Sequence, residues 1–282
     1  MKMSLVIPLV IVALVRAQAA GLAADTAAVQ EAVAKAAAFL ASCQEPNGSF
    51  HADLGPGVTA LAVTGLVRSG TPADTPVVRK AIDYLMSFRQ PDGGFYTAGS
   101  PVGNYETSIV MLALAACNAD GRLDAEIKGA TRFVKKLQWD EDEGKDPTDP
   151  AYGGAGYGKK SRPDLSNTAF MIEALRTVGE SENDPAIQRA LQFVSRTQNL
   201  PGPHNPLPFP AKNPDGGFYY TPAAGGESQA GETPGGGLRS YASMTYAGLK
   251  SMIFAGLKKD DPRVKAAIEW LAKHFTFDEN PG

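Results

Sequence analysis

Apolar residues recur at i, i+3, i+4 and i+7 in five places along the chain. They are Val33-Ala36-Ala37-Leu40, Val78-Ala81-Ile82-Leu85, Ile127-Ala130-Thr131-Val134, Ile187-Ala190-Leu191-Val194 and Val264-Ala267-Ile268-Leu271. That spacing puts one apolar stripe on an α-helix, and the alanine at i+3 in every copy predicts close approach to whatever the stripe packs on. An aromatic flanks the stripe at i+6 each time: Phe39, Tyr84, Phe133, Phe193 and Trp270. Three residues before four of the copies stand Thr75, Asp124, Asp184 and Asp261, candidate N-caps; the first copy has Gln30, a weaker one. Pro76, Pro185 and Pro262 follow at the first helical position, where a missing N–H costs nothing. Five amphipathic helices are predicted, joined by connections of unequal length.

Between them lie segments that are apolar almost all round, at 59–67, 107–117, 168–178 and 242–257. A helix without a polar face must be enclosed by others, so each repeat is predicted to supply one outer, half-solvated helix and one inner helix. Stacked helical hairpins with a buried inner layer form an open solenoid or a closed ring, and the apolar inner layer favours the ring. The expected fold is all-α, an α/α toroid in one domain over 20–282. Its repeats cover about 30–70, 75–120, 124–180 and 184–258, with a half repeat at 261–282 whose missing inner mate predicts a ring that is incomplete or open at the C-terminus.

A glutamine and a Gly-aromatic turn link each outer helix to its inner partner. The four copies are Gln44 with Gly48-Ser49-Phe50, Gln90 with Gly93-Gly94-Phe95, Gln138 with Gly153-Gly154-Ala155-Gly156-Tyr157, and Gln198 with Gly216-Gly217-Phe218. Asn-Gly and Asp-Gly supply positive φ, and the aromatic pins the turn to the body. This pattern resembles the QW repeats of squalene and oxidosqualene cyclases and the related repeats of protein prenyltransferase β subunits. The resemblance spans nearly all of 20–282 and implies the α/α toroid; it says less about chemistry, which resides in a few side chains.

Composition narrows the function classes. With 43% hydrophobic and 20% charged residues the 282-residue chain can bury a large core, and its net charge of −3 gives no reason to bind nucleic acid. The N-terminus carries Lys2, an apolar run over 4–15 and then Ala17-Gln18-Ala19, a small-x-small cleavage pattern. Residues 1–19 read as a signal peptide rather than a membrane anchor, because the run is short for a bilayer; after cleavage no stable membrane span is expected. Export would place the protein in the periplasm or outside the cell. There Cys43 and Cys117 could pair, or Cys117, in an apolar run, could remain a buried thiol.

The resemblance directs attention to the starts of the inner helices. Class II terpene cyclases of the superfamily protonate an alkene with an Asp-x-Asp-Asp-Thr-Ala motif. The matching stretch here is Asp164-Leu165-Ser166-Asn167-Thr168-Ala169, with Ser166 and Asn167 in place of the two acids. Protein prenyltransferases hold zinc with Asp, Cys and His. His51, His204 and His274 do not lie beside Cys43 or Cys117, so no metal site or other cofactor carries over. Aligning the inner helices places Val58, Glu106, Asn167 and Tyr241 at equivalent positions. Tyr105, Asn167, Arg239, Tyr241 and Tyr246 are the candidate ligand-binding residues, and Glu106 and Asp164 the candidate catalytic acids. Helix capping is the competing use of the two acids, and the favoured one. Arg239 at a helix start implies a carboxylate partner or an anionic ligand. The acidic stretch 139–150 lacks calcium-loop spacing, and the Gly-rich run 225–237 has no phosphate-loop signature, so both read as loops, the latter together with 199–210 over one mouth of the ring.

Three functional readings follow. The first is a secreted toroid that binds a hydrophobic, isoprenoid-like molecule without the superfamily's proton donor or zinc. The second is an enzyme that uses Glu106 and Asp164 on an isoprenoid or, like polysaccharide lyases, on a glycan. The third is a scaffold that self-associates or engages a protein partner at the open C-terminal side.

Overall fold

The computed structural model describes residues 26–282, so the segment read as a signal peptide lies outside the described residues. Helix α1 spans 26–42, and the outer helices continue with α3 (Pro76–Met86), α5 (Asp124–Lys136), α7 (Pro185–Arg196) and α10 (Pro262–Lys273). The inner helices are α2 (Pro56–Arg68), α4 (Gly103–Ala116), α6 (Leu165–Thr177) and α9 (Ala242–Phe254); a single turn, α8 (Phe209–Lys212), interrupts the Pro-rich connection. The described residues contain isolated β-bridges and no longer strand. Inner helices pack in chain order, α2 on α4, α4 on α6 and α6 on α9, and each is backed by the outer helix that follows it.

The repeated stripe is the seam between layers. Val78, Ala81, Leu85, Ala130, Val134, Ile187, Ala190, Val194 and Ala267 are all at 0% exposure, the alanines where the helices approach most closely. The first copy differs: Val33 and Phe39 are 37% and 67% exposed. Outer helices α3 and α7 each seat between two inner helices, whereas α1 has none before it in the described chain. Capping follows the expected residues in part. Asp184 accepts from Ala186 N at 2.9 Å and Asp261 from Arg263 N at 2.9 Å. Thr75 instead donates to Pro72 O, and Asp124 lies one residue inside α5 and accepts from Asn118 Nδ2.

Three inner helices begin three or four residues earlier than their apolar runs, and at two of them tertiary acceptors satisfy the first-turn N–H groups. Tyr157 O accepts from Asn104 N and Tyr105 N of α4, and Tyr220 O from Leu165 N of α6. At α9 the C-terminal tail fills the same role, with Pro281 O accepting from Ala242 N.

Four hydroxyls set the true register of the inner helices. Thr59, Thr107, Thr168 and Thr245 accept from the backbone N–H of Phe50, Phe95, Ala155 and Phe218, the second residue after each positive-φ turn glycine, at 2.9–3.1 Å. Thr245 is therefore the repeat equivalent of the other three. This shifts α9 by three residues from the alignment made on sequence: Met244 stands where Glu106 and Asn167 do, and Tyr241 corresponds to Asp164, both being N-caps.

The glutamines join one repeat to the next. Gln138 Nε2 donates at 2.8 Å both to Gly153 O of its own turn and to Ala186 O of α7. Gln44 bridges Gly48 O and Val77 O, and Gln198 bridges Gly216 O and Arg263 O. Gln90 stays local, donating to Phe88 O and Tyr96 O, because α5 lacks the proline start that brings the second residue of α3, α7 and α10 into reach. The turn glycine is needed for space as well as for φ: a Cβ on Gly153, at φ +83°, would run into Arg189 O of α7. Three of the i+6 aromatics, Phe133, Phe193 and Trp270, cover the next glycine of a turn, Gly94, Gly154 and Gly217, so a Cβ at Gly154 would meet the Phe193 ring at 2.6 Å.

Candidate functional site

One mixed-polarity stripe survives on three of the inner helices. It reads Val58, Leu61, Gly65 and Arg68 on α2, Ser166, Phe170, Glu173 and Thr177 on α6, and Ser243, Tyr246, Lys250 and Ile253 on α9. Glu173 shows that these stripes face a common space: its carboxylate is 3.7 Å from Arg68 and 2.7 Å from Lys250. This triad closes the C-terminal end of the inner side. Above it stand two solvated apolar side chains, Leu61 at 46% and Tyr246 at 50% exposure, while Ile253, 53% exposed, lies beyond Lys250 at the C-terminal end of α9. Isolated exposed apolar residues are ordinary, but Leu61 on α2 and Tyr246 on α9 stand on the inner side of two helices that the triad joins, and give that side an apolar wall.

Aromatic rings and Asp164 gather at the N-terminal end. The Tyr105 ring meets Phe170 edge-on at 5.5 Å and Tyr157 at 6.2 Å. Asp164 is 1% exposed; its Oδ1 accepts from Asn167 N at 2.8 Å and its Oδ2 from Asn167 Nδ2 at 2.7 Å. Burial pushes its carboxyl above the usual range, opposed by the Asn167 hydrogen bonds, the neighbouring Tyr220 hydroxyl and the Arg162 charge. The same burial, with the Asp164 charge beside them, raises the Tyr220 and Tyr241 phenols. Arg162 reaches across from the turn to pair with Glu227 at 2.5 Å and lies 5.9 Å from the Tyr220 ring centre, while Thr221 Oγ1 donates to Pro163 O. These contacts tie the Gly-rich segment to the start of α6.

Glu106 belongs to a neighbouring environment. Only 5% exposed, it packs against Gly55 at the start of α2, with Oε1 3.4 Å from Thr97 Oγ1. Burial raises its carboxyl pKa, partly offset by hydrogen bonding from Ser100 and Thr97. Its Oε2 has no partner, and neither has Asn167 Oδ1 at the equivalent repeat position. Two buried acceptors on adjacent inner helices are thus available to a hydrogen-bond donor.

Of the residues singled out in the sequence, Asp164, Asn167, Tyr241 and Tyr105 lie about this N-terminal end, and Tyr246 lies lower on the apolar wall. Glu106 faces the α2–α4 seam. Arg239 is exposed, donates from Nε to Glu232 O and makes no ion pair among the described residues. Cys43 and Cys117 are free thiols, the second buried with its pKa raised by that burial. The described residues contain no cluster of three or more metal-ligating side chains and no helix long and apolar enough to cross a membrane. Sequence reasoning missed Tyr157, Phe170, Tyr220 and the Arg68–Glu173–Lys250 triad. A signal existed for two of them: Tyr157 and Tyr220 both stand two residues after the position pinned by an inner-helix threonine.

Comparison with known proteins agrees with this architecture. The chain is similar to a variant of the type II terpene cyclase MstE from Scytonema in complex with merosterolic acid A (product), at 19% identity and TM-score 0.54 over 88% of this chain and 65% of that one. Another MstE variant, holding geranylgeranyl dihydroxybenzoate (substrate), matches at 18% and 0.54, covering 88% and 64%. The ent-copalyl diphosphate synthase from Streptomyces platensis matches at 16% and 0.53, over 81% of this chain and 36% of that one. The chain thus spans less than two thirds of the length of these proteins, and at such identity the likeness is one of fold. A family model matches residues 55–221, more than half the sequence. On that match and this helical architecture, the chain belongs to the family of the squalene-hopene cyclase C-terminal domain.

Proposed function

We propose that this protein is an exported toroid that binds an isoprenoid-like hydrophobic molecule on the inner side of its helices. The observation that carries the reading is the exposed apolar pair of Leu61 and Tyr246, closed below by the Glu173 triad and lined above by Tyr105 and Phe170. A water-exposed apolar surface of this kind gains free energy when a ligand covers it, at about 25 cal/mol per Å² removed from water. The structural neighbours described as holding a geranylgeranyl substrate or a merosterolic acid product support the ligand class. The test is titration with geranylgeraniol, alongside native mass spectrometry for co-purified lipid. Leu61→Glu and Tyr246→Glu lie on exposed positions and should abolish binding without unfolding the protein. Undiminished binding in both variants refutes the assignment.

A second reading, acid catalysis, is favoured by Asp164. Its carboxyl is buried among aromatic rings and its pKa is raised, which suits a proton donor whose product is a carbocation. Turnover of a polyprenyl substrate that is lost in Asp164→Asn would support it. The absence of any product from the native protein would leave ligand binding as the function.

A further inference from the structure

A second groove lies on the outer flank between the second and third repeats, touching the inner helices only at Gly103, the first residue of α4. It holds about 930 Å³ and is floored by Tyr96, Phe133 and Trp139. Tyr96 and Phe133 stack with ring centres 5.3 Å apart and planes 23° from parallel. Four cations line it: Arg132 and Lys136 from α5, and Lys159 and Lys160 from the connection to α6. All four are exposed, and none takes part in an ion pair among the described residues, although neighbouring Lys135, Lys145 and Arg189 all do. Lys160 also holds a left-handed backbone, φ +62°, at the groove's rim.

The acids in the same groove are differently placed. Asp92 already accepts from Gly94 N and from the Tyr96 hydroxyl at 2.7 Å, and Glu143 accepts from Asp140 N. Only Asp142 has a free carboxylate. The groove's carboxylates are therefore largely supplied with donors, while its ammonium and guanidinium donors have no acceptor. On a chain whose net charge is −3, unpaired positive charge is concentrated beside an aromatic floor.

We propose that this groove is a second binding site, separate from the inner apolar wall, and that it takes an organic anion with a flat apolar body, of the aromatic carboxylate class. The ring rests on Tyr96, Phe133 and Trp139, and the carboxylate meets the lysines. Trp139 reports binding directly. The only other tryptophan, Trp270, is 4% exposed, stacks on His274 and does not line the groove.

The experiment is a fluorescence titration of the full chain with 4-nitrobenzoate, a quencher, against its neutral analogue 4-nitrobenzamide. Saturable quenching by the acid is expected, weakening as salt rises, with the amide binding about ten-fold or more weakly. The paired substitution Lys136→Ala with Lys160→Ala should lower the acid's affinity by a similar factor and leave the melting temperature unchanged, since both side chains are exposed. Equal binding of acid and amide, unaltered affinity in the lysine variant, quenching that persists in Trp139→Phe, or no saturable binding would each overturn the proposal.

Discussion

Gln138→Ala is the most informative single perturbation of the fold, because the sequence repeats this residue four times and the structure uses it in two ways. Gln138 is 1% exposed, and its amide joins Gly153 O to Ala186 O while its Oε1 accepts from Arg189 Nε at 3.2 Å. Truncation strands Gly153 O in a buried turn, at a cost of about 1–3 kcal/mol for an unsatisfied group. Ala186 O keeps its intrahelical acceptor role, and Arg189 keeps Asp140 at 2.9 Å, so those two losses add roughly 0.5 kcal/mol each. The total is about 2–4 kcal/mol. Gln90→Ala removes two bonds within one part-buried turn that water can replace, and should cost under about 1 kcal/mol. Urea unfolding of both variants measures the difference, and the Gln138 variant should melt on the order of 10 °C lower than the native chain. Equal destabilisation of the two variants, or a Gln138→Ala cost below that of Gln90→Ala, would refute the inter-repeat role.

Other outcomes follow from the same structure. Thr168→Val and Thr245→Val should each cost about 1–2 kcal/mol in denaturant unfolding, since each strands one buried N–H; a neutral Thr245 variant would contradict the register derived for α9. Gly153→Ala should be the most damaging glycine change, several kcal/mol by thermal melting, because the new Cβ meets the Arg189 carbonyl. At Gly216 the nearest atom is the Ala266 methyl at 3.0 Å, so there alanine should cost mainly the roughly 1 kcal/mol of positive φ. Glu106→Gln should stabilise the protein by about 1 kcal/mol at pH 7. The Glu106 pKa is raised on folding, so its ionisation opposes folding above that pKa, and the advantage of glutamine should fade as pH falls to the ordinary carboxylate range. Unfolding curves at pH 7 and pH 4 decide it.

The helical repeat was legible in the chain because a stripe at i, i+3, i+4, i+7 has one low-energy solution, an α-helix with that face buried, and Pro76, Pro185 and Pro262 mark where three such helices start. The layering was legible too, since α4 offers no polar face. What local pattern could not supply was pairing across the ring. Thr245 was misaligned because Ala242 mimics the small residue of the other repeats, and only the hydrogen bond from Phe218 N distinguishes them. Asp164 and Glu106 looked alike in sequence, both acids near helix starts; burial places one among aromatic rings and the other against Gly55 with an unpartnered oxygen. The Glu173 triad and the groove beside Trp139 draw on residues up to 182 and 68 positions apart respectively along the chain. The sequence by itself determined which segments are helices and which face each one buries, because both depend on neighbours within a few turns. Which side chains meet across the inner face, and which charges are left unpaired, was decided only by the tertiary structure, because those depend on how the rigid helices are stacked.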